Sequence, residues 1–73
     1  GGATGAGGSP VVSLNSATAV ELETLPGVGP VLAQRIVEHR QSLGGAFASV
    51  DQLRDVSGIG EATFAEISPH VRL

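Results

Sequence analysis

The sequence predicts an all-α domain of four short helices arranged as two pseudo-symmetric units, and three observations predict it. A Gly-x-Gly turn occurs twice, in Leu25-Pro26-Gly27-Val28-Gly29-Pro30 and in Val56-Ser57-Gly58-Ile59-Gly60. A shift of 31 positions superposes not only the glycines but Thr18 on Ser49, Leu22 on Leu53, Leu25 on Val56, Ala33 on Phe64 and Ile36 on Ile67. Finally, a capping signal precedes each apolar-periodic run, so the repeat is one of whole helix, hairpin, helix units that bury their apolar faces against each other.

Residues 1–12 are rich in Gly, with Ala, Thr, Ser and Pro, and cannot bury enough apolar surface to offset chain entropy. They read as a flexible linker or a cloning remnant, and residues 13–73 as the folded domain. Val11-Val12-Ser13-Leu14-Asn15 is a short extended entry, with Asn15 as a local cap or turn former. Thr18-Ala19-Val20-Glu21 is a capping box, so helix 1 starts there with Ala19, Leu22 and Leu25 as its stripe. Ser49-Val50-Asp51-Gln52 opens helix 3 in the same way, with Val50, Leu53 and Val56. Both are about two turns long and depend on packing.

Each first helix ends at its hairpin. Pro26 does not continue a helix, the glycines permit positive φ and close approach of another chain, and Pro30 suits the first position of helix 2. The expectation is a turn with free N–H groups at a helix start, a place that attracts phosphate. Helix 2 runs from Pro30 to about Leu43 and stops at Gly44-Gly45. Leu32, Ala33, Ile36, Val37, Arg40 and Leu43 share one face, with Arg35 and Glu38 opposite. Arg40 is expected to tie down loop carbonyls or a carboxylate such as Asp51 or Asp55, and Arg35 to meet a phosphate or to pair with Glu38. Phe47 and Phe64 read as core plugs. Helix 4 spans Gly60-Glu61 to about Ser68, where Pro69 closes it, and Val71 and Leu73 in the tail cover the core.

Composition excludes several classes. The 73 residues include no Cys and no Met, which removes disulfides and thiolate zinc sites, and the chain reads as an excised part of something longer. Among four Arg, no Lys and seven acidic residues the formal net charge is −3, so a phosphate ligand gains little from long-range fields and relies on backbone amides with one or two local arginines. His39 and His70 lie on separate elements without metal-ligand spacing, no carboxylate dyad is marked, and the glycines match neither a dinucleotide fingerprint nor a nucleotide P-loop. The chain reads as a non-enzyme with no metal, no cofactor and no small-molecule substrate.

Leu14-Asn15-Ser16-Ala17-Thr18, Glu21-Leu22, the first hairpin, Ile36, Arg40, Phe47, Leu53, Gly58-Ile59-Gly60, Phe64 and Pro69 together resemble the tandem helix-hairpin-helix domain of bacterial ComEA-type competence proteins, over about residues 13–73. The resemblance implies sequence-independent binding of double-stranded DNA, with amides around Gly27, Val28 and Gly29 and around Gly58, Ile59 and Gly60 holding phosphates, one hairpin per strand across the minor groove. It also implies a DNA-uptake receptor outside the cytoplasm, tethered to the membrane by a segment absent from this chain, with other components of the uptake machinery as partners. Where family members often carry lysine after each hairpin, this chain has Leu32 and Ala62. The alternative is a protein-interaction or structural module of the same fold with little DNA affinity.

Overall fold

The computed structural model describes residues 11–73; the expectation for residues 1–10 lies outside them. In chain order the elements are β1 (Val12–Ser13), α1 (Ala19–Leu22), α2 (Pro30–Ser42), a 3-10 helix (Val50–Asp55), α3 (Glu61–Ile67), a closing 3-10 turn (Ser68–His70) and β2 (Val71–Arg72). The first unit is α1, the Gly27 hairpin and α2. The second is the 3-10 helix, the Gly58 hairpin and α3.

Local chemistry explains where each helix begins and ends. Thr18 caps α1: its hydroxyl accepts from Glu21 N at 3.2 Å, and its own N–H donates to Glu21 Oε1 at 2.9 Å. In the second unit Gln52 Oε1 accepts from Ala48 N at 2.6 Å and Ser49 N at 3.3 Å. The predicted third helix forms, but as a 3-10 rather than an α-helix. So short a segment is held by burying Leu53 and Val56, and i→i+3 bonds suffice for it. Helix α1 ends with the same tight bonds, Thr24 N to Glu21 O and Leu25 N to Leu22 O, both 3.1 Å. At the end of α2, Gly44 and Gly45 take φ of 91° and 107° and return their N–H groups to Gln41 and Arg40. That is a Schellman closure, which a residue with a Cβ accommodates poorly.

The repeat is a packing repeat. Leu22 and Leu53, Leu25 and Val56, Val28 and Ile59, Ala33 and Phe64, and Ile36 and Ile67 are all buried, each pair separated by the same 31 positions. Phe47 joins them where the units meet, with His39 tilted against its ring at a centroid distance of 5.9 Å. Leu43, expected on the core face of α2, is 37% exposed, because the helix has already turned into its cap there, and Leu73 is 40% exposed.

Three tertiary features hold the chain ends and the link between units. Strands β1 and β2 pair in parallel, Val12 with Val71 and Ser13 with Arg72, while Leu14 N donates to Arg72 O at 2.7 Å. Val12 therefore belongs to the folded body, one residue ahead of the expected boundary. Asn15 is no local cap: its amide accepts from Phe47 N at 2.6 Å and donates to Phe47 O at 3.2 Å, clamping the entry segment to the inter-unit link. Of the two partners expected for Arg40, the structure selects carbonyls, those of Leu14 and Ala17, each 2.8 Å from Nη1.

Candidate nucleic-acid interface

The two hairpins share one backbone design. Val28 N donates to Leu25 O at 3.1 Å and Ile59 N to Val56 O at 3.0 Å, and the third residue of each turn, Gly27 or Gly58, has φ of +78° or +100°. This is the arrangement of a type II turn, which requires a left-handed third residue. The second glycines differ. Gly29 (φ −96°, ψ −171°) and Gly60 (φ −93°, ψ −173°) are extended N-caps in a conformation open to any residue. A methyl group placed on either would touch nothing within 4 Å.

The predicted phosphate-binding residues thus fall into three groups. Gly27 and Gly58 shape the turns. Val28 and Ile59 point inward, 5% and 6% exposed, and their N–H groups are already donated within the turn. Gly29 and Gly60 face outward, and their N–H groups make no backbone bond among the described residues. The free amides anticipated from the sequence are therefore those of the second glycines and of the first turns of α2 and α3, not those of the middle residues.

Each hairpin lies against the second helix of the other unit, which spacing along the chain does not reveal. A methyl group on Gly58 would sit 3.2 Å from Leu32 Cδ1 and 3.3 Å from Arg35 Nη1; one on Gly27 would sit 3.5 Å from Glu66 Oε1. Arg35 reaches the Gly58 hairpin, with Nη1 3.5 Å from Ser57 O, and forms no ion pair with Glu38 among the described residues. Glu38 instead accepts from Gln34 Nε2 at 3.5 Å. Beside Arg35 a polar cleft of about 430 Å³ is lined also by Glu38, His39, Asp55 and Ser57.

The other arginines have different tasks. Arg40 holds carbonyls, and Arg72 lies on β2. Arg54 lies over the Phe64 ring, 4.2 Å from its centroid, and pairs with Asp51 at 3.4 Å and Glu61 at 3.2 Å. No motif marks Glu66; its 31-residue correspondence to Arg35 is the one sequence signal that points to it. Among the described residues no group of three or more His, Asp or Glu side chains is placed to hold a metal ion, and no helix is long and apolar enough to cross a membrane.

Known proteins resemble this chain in sequence. Over 61 residues the chain is 38% identical to ComE operon protein 1 of Bacillus subtilis, covering 84% of this chain and 29% of that protein. It is 46% identical over 56 residues to endonuclease/exonuclease/phosphatase family domain-containing protein 1 of Xenopus laevis, a match covering 77% of this chain and 10% of the relative. An uncharacterized protein of Haemophilus influenzae is 42% identical over 53 residues, 71% of this chain and 46% of that one. The chain thus spans less than half the length of each of these relatives, and the similarity to the Xenopus protein is confined to this small segment of it. The family described as "Helix-hairpin-helix motif" matches residues 8–72, nearly the whole chain with both hairpins, and the chain belongs to that family.

Proposed function

We propose that this domain is a non-catalytic module that binds double-stranded DNA without sequence preference, holding phosphates at the Gly29 and Gly60 ends of its two hairpins. Family membership and the resemblance to ComEA-type competence proteins support DNA as the partner. The observation that carries the mechanism is the contrast between the glycines of each hairpin. Gly27 and Gly58 have an internal reason in their positive φ; Gly29 and Gly60 have neither a positive φ nor a crowded Cβ position. A glycine without an internal reason, next to unpaired amides, serves something that approaches from outside. Phosphates are the same at every base step, so amide contacts to them position a duplex without reading its sequence. With Arg35 as the cation nearest a hairpin, binding is weak. We also propose, on the same resemblance, that the domain works outside the cytoplasm as part of a membrane-tethered DNA-uptake receptor.

The test adds a Cβ without removing the cap. Threonine is about as good an N-cap as glycine, so Gly29→Thr/Gly60→Thr keeps its helices. The expected result is an unchanged circular dichroism spectrum with loss of duplex binding. A folded double variant that binds like the parent overturns the reading. One observation favours a second reading: Val31, 67% exposed beside Gly29, suits a protein-interaction module, which would then become the better account.

A further inference from the structure

The hairpins are alike in backbone and unlike in charge. We propose that they grip DNA unequally: the Gly58 hairpin, with Arg35 at its side, is the principal phosphate contact, and the Glu66 carboxylate weakens the Gly27 hairpin and sets the low affinity of the whole domain. This rests on the duplex-binding reading above.

Arg35 and Glu66 occupy the same place in the repeat, 31 positions apart, each on the second helix of its unit and each crossing to the opposite hairpin. Arg35 Nη1 comes within 3.3 Å of the Cβ position of Gly58, and Glu66 Oε1 within 3.5 Å of that of Gly27. Pseudo-symmetry therefore delivers a cation to one hairpin and an anion to the other. Both side chains are on exposed residues, so both charges lie at the protein surface beside their hairpins. Glu66 makes no ion pair among the described residues, whereas Glu61, the acidic residue in the first turn of α3, is held by Arg54 at 3.2 Å. At the Gly58 hairpin Glu61 is thus paired and Arg35 supplies a cation beside the carboxylates Glu38 and Asp55 of the neighbouring cleft, whereas Glu66 at the Gly27 hairpin makes no ion pair among the described residues. Two unit charges about 4 Å apart in water interact by an amount worth about fivefold in affinity, and salt reduces it.

Fluorescence anisotropy with a labelled mixed-sequence duplex tests this. Glu66→Gln is expected to tighten binding about fivefold at low salt and to lose that gain as salt rises. Glu66→Arg is expected to bind tighter still, and to steepen the slope of log K against log salt by about 1. The decisive variant is the charge exchange Arg35→Glu/Glu66→Arg, which leaves the net charge unchanged. In the parent, Gly60→Thr should weaken binding more than Gly29→Thr; in the exchanged background the order should reverse. If Glu66→Gln leaves affinity unchanged, or the two glycine variants are equally damaging in both backgrounds, the inequality is wrong although duplex binding stands. If the parent binds no duplex, or the folded double glycine variant binds like it, the duplex reading fails and takes this proposal with it.

Discussion

The inner layer and the outer layer of the two units obey different rules. Inside, every pair related by 31 residues is buried on both sides, from Leu22 and Leu53 to Ile36 and Ile67. Outside, the same shift turns Arg35 into Glu66 and Pro30 into Glu61. The difference teaches that packing holds a repeat to its pattern, because a core position senses volume to within a methylene, whereas an exposed position changes at little cost in stability and is free to set charge.

The largest expected effect breaks the inner layer. Phe64 occupies in the second unit the buried position that the small Ala33 holds in the first, so the bulk at that position comes from one unit, and Phe64→Ala should cost about 3–5 kcal/mol. A domain this small should then be largely unfolded. A thermal melt unchanged from the parent would remove Phe64 from the core.

Next come the two side chains that have no equivalent in the second unit. Asn15→Ala leaves the Phe47 N–H and C=O without their partner, and Arg40→Met does the same to the carbonyls of Leu14 and Ala17. Each should cost about 1–3 kcal/mol in urea unfolding. Costs below about 0.5 kcal/mol would mean that water replaces both contacts and that the entry segment is not part of the cooperative unit.

A smaller effect separates the two glycines of each hairpin. Gly27→Ala and Gly58→Ala force a Cβ into left-handed backbone and should cost about 1–2 kcal/mol each. At Gly29 and Gly60, threonine should stay within about 0.5 kcal/mol of the parent while duplex binding is weakened. Stability and binding measured on the same four variants give a double dissociation if the assignment holds. The reverse pattern would exchange the roles of the glycines.

The smallest expected signal is the salt dependence of duplex affinity. Each phosphate neutralised by a cationic side chain contributes a slope of about −0.9, and with Arg35 as the hairpin cation the parent slope should be no steeper than about −2. A slope typical of a lysine-rich binder would place further cations on the DNA surface, Arg72 among them, and blunt the contrast between the hairpins.

By itself the sequence determined the features that depend on near neighbours. The capping box at Thr18, the turns at Gly27 and Gly58, the Gly44-Gly45 stop and the apolar faces are set by groups a few residues apart, and the repeat displays them twice. Its spacing even named buried pairs such as Leu25 with Val56, because both copies solve one packing problem. Only the tertiary structure decided what joins distant segments: β1 with β2, Asn15 with Phe47, Arg35 with the Gly58 hairpin and Glu66 with the Gly27 hairpin. It also decided that Val28 and Ile59 turn inward, their amides spent on the turn, while Gly29 and Gly60 stay open. Periodicity fixes which face a residue occupies on its own element, but not which segment that face meets at a sequence separation of 22 to 60 positions.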